Sequence, residues 1–166
     1  IIAAPISAAF LPSAVQAKSF DGSAYKPVLK DVAPLLSFGT SLTSLKTKLG
    51  SSDASALSQC IVGLEIFAKE PDFYPTFARN FVLKSGVNTG ADEDTRVLAI
   101  KKARDLILAT KDVIDADGDR TVDANYDSKK AVSMVTEAQK NVGLFLFGSN
   151  VSDPAVASFL DSLTQK

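Results

Sequence analysis

The chain has 166 residues, 46% of them hydrophobic, and its 18 Lys and Arg against 19 Asp and Glu leave a net charge of -1. That is the size and make-up of one ordinary globular domain, and it excludes long disorder, a collagen repeat and a disulfide scaffold. Histidine is absent and Cys60 is the only cysteine, so the chain alone supplies no Ser-His-Asp triad, Cys-His pair, histidine zinc site, CxxC motif or iron–sulfur cluster.

Residues 1–23 read as a targeting remnant or an extended arm. Residues 1–17 carry no charge, are rich in Ala and are interrupted by Pro5 and Pro12. They are too short for a bilayer, which needs about 20 apolar residues. They end in Val15-Gln16-Ala17 before Lys18, and small residues three and one before the cut are what a signal peptidase accepts. Such a tail fits the second half of a bipartite address that leads into a chloroplast and across the thylakoid membrane. A bacterial export signal is the alternative, and so is an apolar arm packed on the domain.

From residue 24 onward the apolar spacing is 3 and 4, the period of a helix. The first run takes Val28, Val32, Leu35, Phe38, Leu42, Leu45 and Leu49, with Pro34 expected to kink or break it and Gly50 to close it. The second starts at Ser51-Ser52-Asp53, runs through Leu57, Cys60, Ile61, Leu64 and Phe67, and stops at Pro71. An aromatic turn follows, then a short helix over 76–84. The third long helix is expected to open on Ala91-Asp92-Glu93-Asp94, acids at the positive end of its dipole. Its stripe is Val97, Ile100, Ala103, Ile107, Thr110 and Ile114. The fourth takes Ala131, Val135, Ala138, Val142 and Phe145, and Gly148 ends it. A short last helix from Ser152-Asp153-Pro154 buries Val156, Phe159, Leu160 and Leu163. Four long helices of about 18 to 26 residues with short loops predict an all-α, up-down-up-down four-helix bundle. It spans residues 24–148, with 149–166 as a short C-terminal helix and an N-terminal arm.

The motifs that could carry chemistry are few. Asp115-Ala116-Asp117-Gly118-Asp119 resembles part of a calcium loop. Placing Gly118 at position 6 puts Val113 at 1 and Ala124 at 12, so the first ligand and the bidentate one are missing. The plain reading of Asp115, Asp117 and Asp119 is a solvated acidic loop, and the rival is weak calcium binding. Only four Glu are present and none has di-iron spacing; no phosphate-binding glycine motif occurs either. No run of Lys and Arg is dense enough for nucleic acid. Asn150-Val151-Ser152 matches the N-glycosylation pattern, which matters only on a secretory route, and chance is the plainer reading of it.

Cys60 lies on an apolar stripe and reads as a small buried hydrophobe. Lys101, Lys102, Arg104 and Lys111 lie off the stripe of the third long helix. They read either as a solvated face or as a dock for an acidic surface. Phe73, Tyr74, Phe77 and Phe81 read as core or loop packing, or as interface anchors, where aromatics are enriched.

The stretch Pro71-Asp72-Phe73-Tyr74-Pro75-Thr76-Phe77-Ala78-Arg79-Asn80-Phe81-Val82, then Thr95-Arg96-Val97 and a Lys/Arg-bearing helix, resembles the PsbQ family of photosystem II, in particular its diatom-type extrinsic subunits. The likeness covers about residues 24 to 150. It implies a non-catalytic protein without cofactors, peripheral on the lumenal thylakoid face. Its partners would be intrinsic photosystem II subunits and other extrinsic ones. It would shield the manganese–calcium cluster and help retain calcium and chloride. The likeness carries no binding role to any single residue; the candidate contact residues, Phe73, Tyr74, Lys101, Lys102, Arg104 and Lys111, come from the aromatic and charge readings above. The alternatives are an exported or lumenal helical binding module with another partner, and a weak calcium-binding protein.

Overall fold

Aspartate starts most of the helices. Four of its side chains accept a hydrogen bond from the first turn of the helix that follows, satisfying a backbone N–H that has no partner inside the helix. Asp53 takes Ser55 N–H, Asp94 takes Arg96 N–H, Asp127 takes Lys130 N–H and Asp153 takes Ala155 N–H, at 2.8–3.0 Å. The computed structural model describes residues 25–87 and 89–165. The expected N-terminal arm and the Val15-Gln16-Ala17 site lie outside the described residues.

The described chain is all-helical: α1 (Ala33–Leu49), α2 (Ala54–Lys69), α3 (Phe73–Lys84), α4 (Thr95–Ile114), α5 (Ser128–Gly148) and α6 (Pro154–Thr164). Short 3-10 turns at Leu29–Asp31 and Ala91–Glu93 precede α1 and α4. Three expectations need correction. Pro34 does not kink a helix; it sits in the first turn of α1, where its missing N–H costs nothing. The helix over 76–84 begins earlier, at Phe73, and absorbs half of the aromatic turn. The acids Asp92 and Glu93 form a separate 3-10 turn, and only Asp94 caps α4.

Most of each stripe read from sequence is core, but Val28 of the first run is 49% exposed, and Leu45, Phe67, Leu160 and Leu163 are only partly buried against the core. Val97, Ile100, Ala103, Ile107, Thr110 and Ile114 of α4 are buried, and so are Ala131, Val135, Ala138, Val142 and Phe145 of α5. α1, α2, α4 and α5 share this core, α3 packs on α4, and α6 lies against α5 and α1. Side chains tie the neighbours at defined heights. Lys48, late in α1, meets Gln59, early in α2, while Phe38, early in α1, meets Phe67, late in α2. Tyr126, just before α5, donates its hydroxyl to Leu49 C=O, and Gln139 Nε2 donates to Gly39 C=O and Thr43 Oγ1. Arg96 reaches Gly148 C=O from the start of α4, and Lys102 reaches Glu137.

The 3-10 turn before α1 is tied to the end of α3 by Asp31. Its carboxylate accepts from Lys84 Nζ at 2.7 Å and from Val28 N–H at 3.0 Å. The Lys84 hydrogen bond, followed by that of Val28, lowers the carboxyl from 3.8 to about 2. A depressed carboxylate pKa stabilises the fold above the unfolded value and stops doing so as pH falls through the folded one. Asp31→Asn is therefore expected to melt lower than the parent at neutral pH. The gap should shrink progressively from about pH 5, be small by about pH 2 and close by about pH 1 in a series of thermal melts. A gap that persists unchanged at about pH 2 would assign the effect to something other than this charge.

Candidate functional site

Tyr74 is the centre of an aromatic stack. Its ring lies 4.1 Å from Phe38 and 6.0 Å from Phe67, and Phe38 lies 5.5 Å from Phe67, all within 20° of parallel. Burial in this stack pushes the Tyr74 phenol up. Phe73 meets Tyr74 edge-on at 5.0 Å and stays 51% exposed. Both follow from helix geometry: consecutive residues point about 100° apart, so the first residue of α3 faces out and the second faces in.

The stack closes one end of a groove of about 460 Å³ between α1, α2 and the start of α3. Leu42, Leu45, Cys60, Leu64 and Phe67 are among its walls, and Ile66 and Phe73 stand on its edge. Ile66 is 65% exposed and Val62, one turn earlier on α2, is 55% exposed. Lys48 and Glu70 are the charged residues of its lining, and Lys48 Nζ donates to Gln59 Oε1 at 3.0 Å. Cys60 is buried, as its stripe position implies, and burial raises its thiol pKa. That disfavours a reactive thiolate.

The α4 cations do not form a free positive face. Lys101 pairs with Asp92 at 3.1 Å, Lys102 with Glu137 at 3.3 Å and Lys111 with Asp115 at 3.3 Å. Arg104 pairs with Asp105 at 2.8 Å and reaches across to Asp72, the residue before Phe73. The two groups singled out from sequence thus meet at that point. The exposed pairs among them, those of Lys101 and Lys102, contribute about 0–1 kcal/mol each, but they neutralise the charges they hold. Arg96, in the stretch that carries the family likeness, is clamped by Asp94 at 2.8–2.9 Å and packs on Gly148, joining the start of α4 to the end of α5.

No protein-family model, curated protein or solved structure matches the chain.

Asp115, Asp117 and Asp119 are not brought together. Asp115 is a correction to the solvated-loop reading: it is buried. The loop folds back over it, with Asp123 N–H donating to Ile114 C=O and Ala116 N–H to the Asp123 carboxylate. The Lys111 ammonium stands beside Asp115 Oδ2, and Oδ1 has no hydrogen-bond partner. Asp119 instead accepts from Thr121 Oγ1 and N–H, which lowers its carboxyl pKa. Among the described residues no three carboxylate or thiol side chains are grouped to hold a metal ion. None of the described helices is long and apolar enough to cross a membrane.

Sequence reasoning missed Ile66, Val62, Lys48 and Glu70. The signal for the first two was present: both are large apolar residues off the α2 stripe, four apart, where a solvated face would carry polar side chains.

Proposed function

We propose that this chain is a non-catalytic extrinsic subunit of photosystem II, peripheral on the lumenal thylakoid face within the chloroplast. There it stabilises the oxygen-evolving complex and helps retain calcium and chloride. It binds intrinsic photosystem II subunits alongside other extrinsic ones and no nucleic acid. The observation that carries the reading is the fate of the Pro71–Val82 stretch, which bears the family likeness. It forms α3, locks Tyr74 into the bundle and leaves Phe73 out on the edge of an apolar groove. Exposed aromatic and aliphatic side chains beside a hollow are what a docking surface needs.

The proposed bundle order is up-down-up-down for α1, α2, α4 and α5. The heights at which Lys48 meets Gln59, Phe38 meets Phe67, Leu49 meets Tyr126 and Arg96 meets Gly148 support it. A rigid bundle without histidine suits shielding and binding rather than catalysis.

Washing photosystem II with concentrated salt is expected to release the protein, because salt screens the charged part of docking. Oxygen evolution should fall. Adding the protein back should restore it, most visibly when calcium or chloride is scarce. Absence of the protein from the complex, or its removal with no change in rate, would end this reading. Since Lys101 and Lys102 are already paired within the chain, charge reversal at both should weaken rebinding only modestly.

A further inference from the structure

We infer that the groove between α1, α2 and the start of α3 receives one amphipathic helix of a partner protein, whose acidic first turn lies at Lys48 and whose basic last turn lies at Glu70. The inference deepens the proposed function, since it rests on the chain being a docking subunit.

Shape, apolarity and charge each point the same way. Along α1 the lining runs from Phe38 to Lys48, about 15 Å at 1.5 Å per residue, which is roughly three turns of an opposing helix. Two neighbouring helices offer a third a furrow into which its apolar face fits at 3-4 spacing, and no strand among the described residues offers an edge to an extended peptide. Ile66 and Phe73 stand on the lip with more than half of their surface in solvent, placed to pack on what lies between them.

The charges set the direction. Lys48 meets Gln59 at one end of α2, and Phe38 meets Phe67 at the other, where Glu70 follows. The two charges therefore mark opposite ends of the groove. Among the described residues neither has an oppositely charged side chain within salt-bridge distance, whereas the four cations singled out on α4 all have one. A helix favours acids in its first turn and bases in its last, where they also oppose its own dipole. Such a helix lies in this groove in one direction only, acid to Lys48 and base to Glu70.

The test uses the full chain and two synthetic peptides of about twelve residues, the length that spans three turns. The first has Glu in its first turn, Leu at 3-4 spacing and Lys in its last turn. The second has Glu and Lys exchanged. By fluorescence anisotropy the first should bind, and the second at least ~5-fold more weakly, a difference typical of two exposed charge pairs. Ile66→Asp, at an exposed position that leaves the core untouched, should weaken both by ~10-fold or more, as loss of an apolar anchor does. The double variant Lys48→Glu with Glu70→Lys should reverse the preference. Equal binding of the two peptides, or binding indifferent to Ile66→Asp, overturns the inference. Self-association abolished by Ile66→Asp, with no peptide bound, also overturns it and puts a second copy in the groove. In the salt-wash assay, Ile66→Asp rebinding as well as the parent overturns this inference and leaves the proposed function standing. Failure of the parent itself to rebind ends the proposed function, while the peptides still decide the groove.

Discussion

Phe145→Ala is expected to lower the stability of the fold by about 3–5 kcal/mol. Phe145 is wholly buried on α5, and its ring meets Phe81 of α3 edge-on at 5.4 Å. It is the largest of the fully buried side chains, so truncation removes the most apolar surface and leaves the largest void. The close-packed surroundings can collapse only in part. A domain of this size has about 5–15 kcal/mol in total, so the loss is a large share of it. Phe147, two residues on and 42% exposed, is the control. Its alanine variant should stay within about 1 kcal/mol, since surface positions rarely exceed that. Urea titration with an unchanged slope measures both. A cost below about 1 kcal/mol at Phe145 would mean that α3 and α5 do not share a packed core there.

The core was legible because its signal is periodic. The stripes of α4 and α5, spaced 3 and 4, are buried residue for residue. The helix starts were less so. A proline reads equally as a break inside a helix or as its first turn, and only packing decides. Pro34 opens α1 because Val32 and Leu35 are both fully buried around it. Likewise, three acids in a row name a capping region but not the cap. Asp94 is chosen because Arg96 holds it, while Asp92 turns to Arg79 and Lys101.

The site was half legible, and the reason is separation along the chain. Lys111 in the last turn of α4 and Asp115, the residue that caps it, are four apart, so their pairing is a local one. Arg104 also has a neighbour in sequence, Asp105, but its second partner, Asp72, and the partner of Lys102, Glu137, are 32 and 35 residues away, and only the packing of α3 and α5 on α4 brings them there. A charge-bearing face therefore looks free in sequence and is paired in space. The groove shows the reverse error. Phe67 is counted as core from its spacing, yet it is only partly buried and lines an open hollow with the buried Leu64 beneath it, because α1 and α2 leave space between them there. Aromatic residues at the start of a helix divide by one step of rotation, so Phe73 and Tyr74, adjacent in sequence, serve surface and core.

Gly39→Ala is expected to cost about 1–3 kcal/mol, while Gly143→Ala stays within about 0.5 kcal/mol of neutral, although a new methyl at either site meets a neighbour at the same distance. At Gly39 the added carbon would lie 2.5 Å from Phe159 Cζ, 2.9 Å from Cε2 and 3.0 Å from Val142 Cγ1. Phe159 is a buried, stiff ring wedged between α6 and α1, so relief means lifting α6. At Gly143 the contact is also 2.5 Å, but it is with Leu163 Cδ1, the tip of a partly buried, flexible side chain near the end of α6. A rotamer change clears it, and replacing a helical glycine returns up to about 1 kcal/mol. The measurement is chemical denaturation of both variants with hydrogen exchange across α6. If Gly39→Ala speeds exchange in α6 alone, α6 is a strap laid over the α1–α5 seam that can open without the bundle. If exchange rises everywhere by the same factor, α6 belongs to the same cooperative core. A near-neutral cost at both alanines would show that α6 moves freely at both sites, and that Phe159 is not the wedge that fixes it.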